Sequence, residues 1–280
     1  MIKPIYPCFW FDGIAKEAAE FYCSIFRDSK IIDENPSIVT FSISGEKFMC
    51  LNGGPKFKFT PSISLYTILD SEDEVQRIWN LLIEGGEAMM EIGSYPWSKK
   101  YGWVKDKFGL TWQLTVELPV ESSQKFIPAL MFTGQNFGKA ETAMEQYMKI
   151  FPNISLPLVV RYPESDEAQE GKIMHAQFEI NGQRFVAMDS NMKHEFDFNE
   201  AISFVVECDT QNEIDFYWSS LSEGGNESHC GWLKDRYGAS WQIIVPSILS
   251  RLMADPSKSQ RVVQAFMKMK KFHIEGLMNA

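Results

Sequence analysis

The sequence predicts an α+β protein that contains two homologous domains, each assembled from two βαβββ-like modules, followed by C-terminal helices. The string GWVKDKFGLTWQL, which begins at Gly102, returns as GWLKDRYGASWQI from Gly231. The segments that begin at Ile63 and Ile202 are also similar, and the matching segments keep the same order. Self-similarity of this kind indicates duplication. We therefore expect a first domain, a linker, a second domain and a helical tail at 1–119, 120–126, 127–250 and 251–280.

Two helices are predicted in each copy, because apolar residues recur at helical spacing. The sequence EGG follows the second helix of each copy, where a glycine commonly ends a helix. The four predicted apolar stripes are Ala18, Ala19, Tyr22, Ile25 and Phe26; Val75, Ile78, Trp79 and Leu82; Ala143, Met144, Tyr147, Ile150 and Phe151; and Ile214, Tyr217, Trp218 and Leu221.

Short runs rich in β-branched and aromatic residues surround these helices and predict strands. YPCFWF and SISLYTIL precede the helices of the first copy, FIPALMF and AISFVVE precede those of the second, and KFMCL, TWQLTV and SWQIIV are among the runs that follow. The tail after Pro246 is predicted to be helical, with Asp255 and Ser257 as caps. Its apolar stripe needs a packing partner and comprises Val262, Val263, Phe266 and Met269.

The repeated strings KDKFG and KDRYG predict a hairpin turn before the last strand of each copy. Asp106 and Asp235 can accept backbone N–H groups at such a turn. Gly109 and Gly238 tolerate the positive φ that the exit of the turn requires. We therefore interpret both Asp residues as turn formers.

The composition is that of a globular protein, with 45% hydrophobic and 23% charged residues. A formal net charge of -10 argues against a nucleic-acid partner, which requires clustered Lys and Arg. The N-terminal stretch lacks the apolar region of a signal peptide, and no run reaches the about 18 apolar residues of a membrane helix. A cytoplasmic protein without membrane association is therefore expected, in which the five cysteines are reduced.

Several motifs together carry a family resemblance. The first helix of each copy contains FY or QY followed by Phe four residues later, and the pattern KD[KR][FY]G…WQ[LI] ends each copy. With the module order, these motifs resemble the vicinal oxygen chelate superfamily of glyoxalases, bleomycin-resistance proteins and extradiol dioxygenases. FNEAISFVVEC at Phe198–Cys208, CGWLKDRYGASWQIIVP at Cys230–Pro246 and the tail from Ser259 are similar to its PhnB-like branch, whose domain is labelled 3-demethylubiquinone-9 3-methyltransferase. The resemblance implies two tandem glyoxalase-like domains, each with a cupped eight-stranded mixed sheet around a cleft.

In metal-using relatives, the resemblance implies a divalent ion held by His and Glu from the first, fourth, fifth and eighth strands. This sequence has no His on its first strands and has Gln where the eighth strand would supply Glu. Because such sites are built mainly from imidazole, thiolate and carboxylate, we expect no metal cofactor. The residues at the implied positions are Asn52 and Asp189 on the fourth strands, Ser64 and Ser203 on the fifth, and Gln113 and Gln242 on the eighth.

One arrangement leaves a metal site open in the second copy. His175 lies on a predicted strand, and Asp189, Glu195 or Glu207 could accompany it. A single strand histidine is nevertheless more often a hydrogen-bonded structural residue than a ligand.

Aromatic residues around the repeated turns are candidates for the cleft walls. The period of two in TWQL and SWQI sends Trp112 and Trp241 beneath the helices and the following Gln residues into the cleft. Trp103 and Trp232 then remain as possible walls. The insert at 87–101 has no counterpart in the second copy, and it is either a lid or partner surface or a longer sixth strand and hairpin.

We therefore expect a cytosolic protein that binds a small organic molecule in clefts lined by apolar, aromatic and neutral polar groups, without a cofactor. No glycine-rich nucleotide-binding turn supports methyl transfer. The alternative is a metal-dependent lyase, isomerase or dioxygenase that acts from the second domain. In a third hypothesis one domain is a scaffold for dimerisation, and a homodimer is the expected assembly because it is the commonest.

Overall fold

The computed structural model describes residues 3–116, 124–152 and 157–280. The chain divides into two compact units. The larger unit runs from Pro7 to Ile202, and the smaller unit combines the N-terminal residues up to Tyr6 with Ser203–Ala280. The predicted linker at 120–126 falls largely on residues outside the described ranges. Among the described residues, no helix combines the length and the apolar character that a membrane crossing requires.

Strands and helices follow one another in the repeated module order predicted from the sequence. The strands are β1 Tyr6–Phe11, β2 Ser29–Glu34, β3 Ile38–Ile43, β4 Glu46–Asn52, β5 Ile63–Ile68, β6 Glu87–Tyr95, β7 Ser98–Lys105, β8 Thr111–Thr115, β9 Phe126–Phe132, β10 Leu158–Arg161, β11 Ile173–Ile180, β12 Gln183–Asp189, β13 Ile202–Glu207, β14 Asn226–Glu227, β15 Trp232–Lys234 and β16 Ser240–Ile244. The α-helices are α1 Ala15–Ile25, α2 Glu72–Leu82, α3 Ala140–Ile150, α4 Gln211–Ser222, α5 Pro246–Met253, α6 Pro256–Phe266 and α7 Ile274–Met278.

The strands form two eight-stranded mixed sheets, which confirms the predicted α+β class with paired modules. Sheet I has the strand order β14-β15-β16-β13-β1-β4-β3-β2. Sheet II has the order β10-β11-β12-β9-β5-β8-β7-β6, and all its strands belong to the larger unit.

Sheet II joins two modules through the antiparallel pair β5–β9, in which Tyr66 lies opposite Ile127. Within the modules, β5 runs parallel to β8 and β9 runs parallel to β12. Sheet II therefore combines the second module of the first repeat copy with the first module of the second copy. The sheets divide the chain differently from the repeat copies. The extents 1–119 and 127–250 describe those copies, and as domain boundaries they remain a prediction.

The helices bury the stripes that their periodicity predicts. Helix α1 buries Ala18, Ala19, Tyr22 and Ile25, and α2 buries its whole predicted stripe. Ile150 of α3 and Tyr217 of α4 are only half-buried, while the remainder of their stripes is buried. Gly85 and Gly224, just beyond α2 and α4, have φ of 75° and 73°, as expected for glycines that end helices.

The repeated turn after β7 is built around the buried carboxylate of Asp106. Its Oδ1 accepts the backbone N–H groups of Phe108 and Leu110 at 2.9 and 3.1 Å. Its Oδ2 accepts Trp112 Nε1–H at 2.8 Å and the Tyr22 hydroxyl of α1 at 2.9 Å. Burial raises the pKa of Asp106 above its usual value, although these four donors oppose the shift. The predicted turn former therefore also ties β8 to a helix.

The second copy of the turn, in the smaller unit, has the same construction. Asp235 accepts backbone N–H groups from Tyr237 and Ala239 and the Nε1–H of Trp241. Gly109 and Gly238 have φ of 94° and 91°, which confirms that they provide the positive φ at the exit of the turns.

The insert at 87–101 forms the long β6–β7 hairpin, whereas the corresponding β14 and β15 have two and three residues. The prediction of a longer sixth strand and hairpin is thus confirmed, and a role as a lid or partner surface remains a prediction. At the end of the hairpin, Tyr95 stacks on Trp97 with ring centroids 5.0 Å apart and meets Tyr101 edge-on at 5.5 Å. The Trp97 side chain is 59% exposed.

The helical tail packs on its own unit. Asp255 caps α6, as predicted, and Val262 on the predicted stripe is fully buried. Beyond α6, the carbonyls of Met269 and Lys270 accept the N–H groups of Cys230 and Gly231 at 2.8 and 2.7 Å. The tail is therefore part of the folded smaller unit.

Glu46, at the start of β4, links this strand to the start of β9. Its carboxylate accepts the backbone N–H groups of Lys125 and Phe126. Burial raises the pKa of Glu46 from 4.5 to about 7, in spite of these donors. The link is therefore sensitive to pH.

We expect Asp106→Asn to destabilise the larger unit by about 2–3 kcal/mol, because an amide cannot accept both backbone and side-chain donors at all four positions. Denaturant unfolding followed by tryptophan fluorescence measures this. The exposed Asp33→Asn on β2 is the matched control. Equal midpoints for the two variants would show that the carboxylate does not hold the turn.

We expect Glu46→Gln to flatten the pH dependence of stability. The pKa of Glu46 is raised in the folded state, so its contribution is fully present below about pH 4.5 and is lost as pH rises through about 7. The stability difference between the parent and the variant should change by on the order of 2–3 kcal/mol across this window. Unfolding at pH 4.5 and pH 8 measures the change, with the exposed Glu164→Gln as control. A constant difference between parent and variant would contradict the prediction.

Candidate functional site

The candidate site is one face of sheet II, which we name the Gln113 face. Residues paired across neighbouring strands lie on the same side of a sheet. The registers place Tyr66 beside Gln113 and Ile127, and Ala129 beside Val186. The face comprises Ser64, Tyr66 and Ile68 of β5, Tyr101 and Trp103 of β7, Gln113 of β8, Ile127 and Ala129 of β9, His175 and Gln177 of β11, and Val186 and Met188 of β12.

Gln113 lies at the centre of this face and is 5% exposed. Its Nε2 donates to Ser64 Oγ at 2.7 Å, and its Oε1 accepts the Tyr101 hydroxyl at 2.9 Å. Burial raises the pKa of Tyr101 well above its usual value, so the phenol is protonated and acts as the donor. The centre of the face is therefore polar, oriented and uncharged.

The neighbouring Trp112 faces the other way, as the period of two predicts. Its indole is 1% exposed and packs against Tyr22 and Phe26, with ring centroids 5.2 and 5.3 Å apart. Trp241 is equally buried in the smaller unit. The prediction that both residues are core is confirmed.

Trp103 lies directly opposite Gln113 in the β7–β8 register and opposite Met90 in the β6–β7 register. Its ring is half-buried against the cluster formed by Tyr66, Tyr101 and the aliphatic residues of the face. Its Nε1 is buried and has no hydrogen-bond acceptor among the described residues. The structure thus places the predicted wall residue on the Gln113 face with an unsatisfied donor.

His175 lies on the same face, near the edge formed by β10. Its ring centroid is 5.8 Å from that of Tyr66, and its Nε2 lies 3.3 Å from Gln177 Nε2. The carboxylate of Asp189 is engaged elsewhere: it accepts the N–H groups of Gly138, Ala140 and Ile173 and so holds the start of α3.

Asn52 occupies the matching position at the end of β4. Its Oδ1 accepts Ala15 N–H at the start of α1, and its Nδ2 donates to the carbonyl of Pro36. The two fourth-strand candidates, Asn52 and Asp189, therefore hold helix starts in the structure, and neither belongs to the Gln113 face.

The metal implied by the family resemblance does not fit the donors present. Ser64 and Gln113, at two of the implied positions, are neutral and bonded to each other. Glu207, offered with His175 in the alternative site, accepts the Tyr6 hydroxyl at 2.7 Å. Across the described ranges, no three His, Cys, Asp or Glu side chains are grouped so that they could hold a metal ion.

The smaller unit repeats the central pair. Gln242 Nε2 donates to Ser203 Oγ at 2.9 Å, both residues are buried, and Trp232 lies opposite Gln242 in the β15–β16 register. The residue two places before Trp232 is Cys230, so this copy has no phenol corresponding to Tyr101. Burial raises the pKa of the Cys230 thiol, which disfavours the nucleophilic thiolate.

Tyr101 is a site residue that the sequence motifs did not predict. It precedes Trp103 by two positions on a predicted strand, so the period of two already places both on one face. Tyr95, which packs against the same cluster, was assigned only to the insert and could not be oriented without the irregular β6–β7 register.

Comparisons with known proteins agree with this fold. The family model described as 3-demethylubiquinone-9 3-methyltransferase matches residues 3–115 and 124–244. A putative 3-demethylubiquinone-9 3-methyltransferase, PhnB protein, from Bacillus cereus is 37% identical over 39% of this chain and 96% of its own, with a TM-score of 0.37. Glyoxalase I from Zea mays is 11% identical over 89% of this chain and 94% of its own, with a TM-score of 0.56. No curated protein matches the sequence.

The two matched stretches cover both repeat copies and most of the chain. The likeness to the maize enzyme concerns the fold alone and agrees with the paired modules of both sheets. The resemblance inferred from the repeated motifs is confirmed: the chain belongs to the PhnB-like family described as 3-demethylubiquinone-9 3-methyltransferase, in its tandem form with the glyoxalase fold.

Proposed function

We propose that this protein binds a small, uncharged organic molecule on the Gln113 face, without a metal ion and without transferring a methyl group. The observation that carries the proposal is the fixed amide of Gln113, held between Ser64 and Tyr101 and lying opposite the unsatisfied indole N–H of Trp103. Ligand sites in proteins combine apolar and aromatic walls with a few oriented polar groups, and this face has that composition.

The amide retains hydrogen-bonding capacity for a ligand. A Gln side chain has two donor hydrogens and two acceptor lone pairs. Ser64 uses one donor and Tyr101 uses one lone pair, so one N–H and one lone pair stay unused by the described residues. Because both bonds fix the plane of the amide, a ligand does not have to order it, and this lowers the entropic cost of binding.

The proposal of a metal-free site rests on donor chemistry. Hydroxyl and amide groups supply no charge to offset that of a divalent transition metal. The family description names a methyltransferase, but the sequence has no glycine-rich turn of the kind that binds a nucleotide-like methyl donor. We therefore treat that description as a family name and not as the activity of this chain.

The smaller unit offers a second candidate site of the same type, formed by Gln242, Ser203 and Trp232. Because Cys230 stands where the first copy has Tyr101, this second site lacks the phenol and should bind a ligand more weakly. A cytoplasmic location is supported by the odd number of cysteines, five, and by the lack of a C-x-x-C pair, which suit reduced thiols better than a disulfide framework. The proposed assembly is a homodimer, and the negative charge of the chain argues against a nucleic-acid partner.

We expect the protein purified without chelator to contain far less than one equivalent of Mn, Fe, Ni or Zn, because the Gln113 face lacks charged ligands. Elemental mass spectrometry measures the content, and thermal unfolding after each metal is added back measures any stabilisation. Stoichiometric metal that is lost in His175→Ala but kept in the exposed His229→Ala would support the lyase, isomerase or dioxygenase alternative instead.

We expect Gln113→Leu to weaken ligand binding at least tenfold, because it removes the oriented amide. A mixture of uncharged aromatic and aliphatic compounds, screened by ligand-observed NMR, provides the probes. Gln183→Leu, at the partly exposed start of β12, is the matched control and should bind like the parent. Circular dichroism checks folding, since the variant leaves Ser64 and Tyr101 without their partner. Unchanged binding by a folded Gln113→Leu protein would refute the proposed site.

A further inference from the structure

The most informative unexplained group on the Gln113 face is the indole N–H of Trp103. It is buried and has no acceptor among the described residues. By contrast, Trp112 donates to Asp106, Trp10 to the Gly54 carbonyl and Trp218 to Glu227, at 2.8, 2.7 and 2.9 Å. A buried donor without an acceptor destabilises the folded protein. Because the indoles of Trp10, Trp112 and Trp218 have acceptors, the unsatisfied N–H of Trp103 points to a ligand acceptor.

The position of Trp103 relative to Gln113 shows which N–H donors a ligand oxygen would contact. Side chains directly opposite each other on antiparallel strands have Cβ atoms about 5 Å apart. Trp103 and Gln113 are such a pair, and Gln113 keeps an N–H of Nε2 beyond the one that Ser64 accepts. Two N–H donors on one short stretch of the face suit one oxygen that carries two lone pairs.

The charges of the side chains around Trp103 and Gln113 indicate whether the ligand oxygen is neutral or charged. The central groups Ser64, Tyr101 and Gln113 are neutral. Lys105, two residues after Trp103, forms an ion pair with Glu87, and Lys100 Nζ donates to Gln76 of α2. A carboxylate held there would lose hydration without gaining a cation, which is costly, whereas a carbonyl oxygen would not.

The aromatic side chains of the Gln113 face indicate which chemical group carries the carbonyl. Tyr66 and Tyr101 are buried in the cluster, Tyr95 and Trp103 pack against it, and His175 lies beside Tyr66. Aromatic side chains attract planar rings by stacking or edge-to-face contact. Resting on the proposed binding function, we propose that the ligand is a neutral aromatic carbonyl compound whose oxygen accepts the Trp103 indole N–H, and that Trp103 determines this specificity.

Three naphthalene probes of similar shape test the inference: 2-acetylnaphthalene carries the carbonyl, 2-ethylnaphthalene lacks it, and 2-naphthoate replaces it with a charge. We expect the ketone to bind the parent about tenfold more tightly than the other two, the usual effect of one hydrogen bond. In Trp103→Phe, which keeps a ring but removes the N–H, the preference over the ethyl compound should disappear. Trp218→Phe, in α4 of the smaller unit, should keep it.

A second measurement reports the hydrogen bond itself. In protein labelled with ¹⁵N-tryptophan, the indole N–H signal that is missing from Trp103→Phe identifies Trp103 in the parent spectrum. The ketone should move this signal downfield, and the ethyl compound should not. The shift is measured in the parent protein, and the variant serves only to assign the signal.

The outcomes separate this inference from the proposed function. Equal binding of ketone and ethyl compound, or a ketone preference that survives in folded Trp103→Phe, would overturn the role of Trp103 but leave ligand binding on the face intact. Tightest binding of 2-naphthoate would overturn the neutral ligand class. If none of the three probes binds while Gln113-dependent ligands emerge from the mixed screen, the aromatic class is wrong and the proposed function stands.

Discussion

The buried carboxylate of Asp106 sets the orientation on which the candidate site depends. Its four hydrogen bonds fix the turn, the indole of Trp112 and the hydroxyl of Tyr22 at one place. Once Trp112 points towards helix α1, the period of two in the strand leaves Gln113 only the opposite face. The turn predicted from the sequence therefore determines which residue lies on the candidate face.

The same chain shows why a neutral amide suits the centre of that face. Glu46 has two backbone donors, yet burial raises its pKa to about 7, and even the four donors of Asp106 do not cancel the effect of burial. A carboxylate at position 113 could not donate to Ser64 Oγ, as Gln113 does. Glutamine satisfies both Ser64 and Tyr101 without the desolvation cost of a charge. Positions that carry metal ligands in metal-using relatives can thus hold neutral side chains that are hydrogen-bonded to each other.

Much of this architecture could be predicted from periodicity, and the remainder depends on tertiary contacts. The helix stripes, the turn residues and the opposition of Trp112 and Gln113 follow from repeats of 3.6 and 2 residues. The pairing of β5 with β9 does not, because a repeat is equally compatible with sheets built within a copy or across copies. Asn52 was correctly located at a strand end, but only the packed helix shows that its side chain turns to Ala15.

The two copies differ in the side chain that packs against Gly102 and Gly231, the glycines directly before Trp103 and Trp232. At Gly102, an added Cβ would lie 2.6 Å from the Trp79 ring of α2, and at Gly231 it would lie 2.8 Å from Phe272 of the tail. In sheet II, β6 pairs with β7 beside Tyr101, whereas Met269 and Lys270 of the tail pair with Cys230 and Gly231. The tail thus supplies the backbone partner that the short β14 does not reach. The extended hairpin of the first copy carries Tyr101, which donates to Gln113 and packs against Tyr95 and Trp97. The second copy has Cys230 in place of this phenol, so the two candidate sites are chemically unequal.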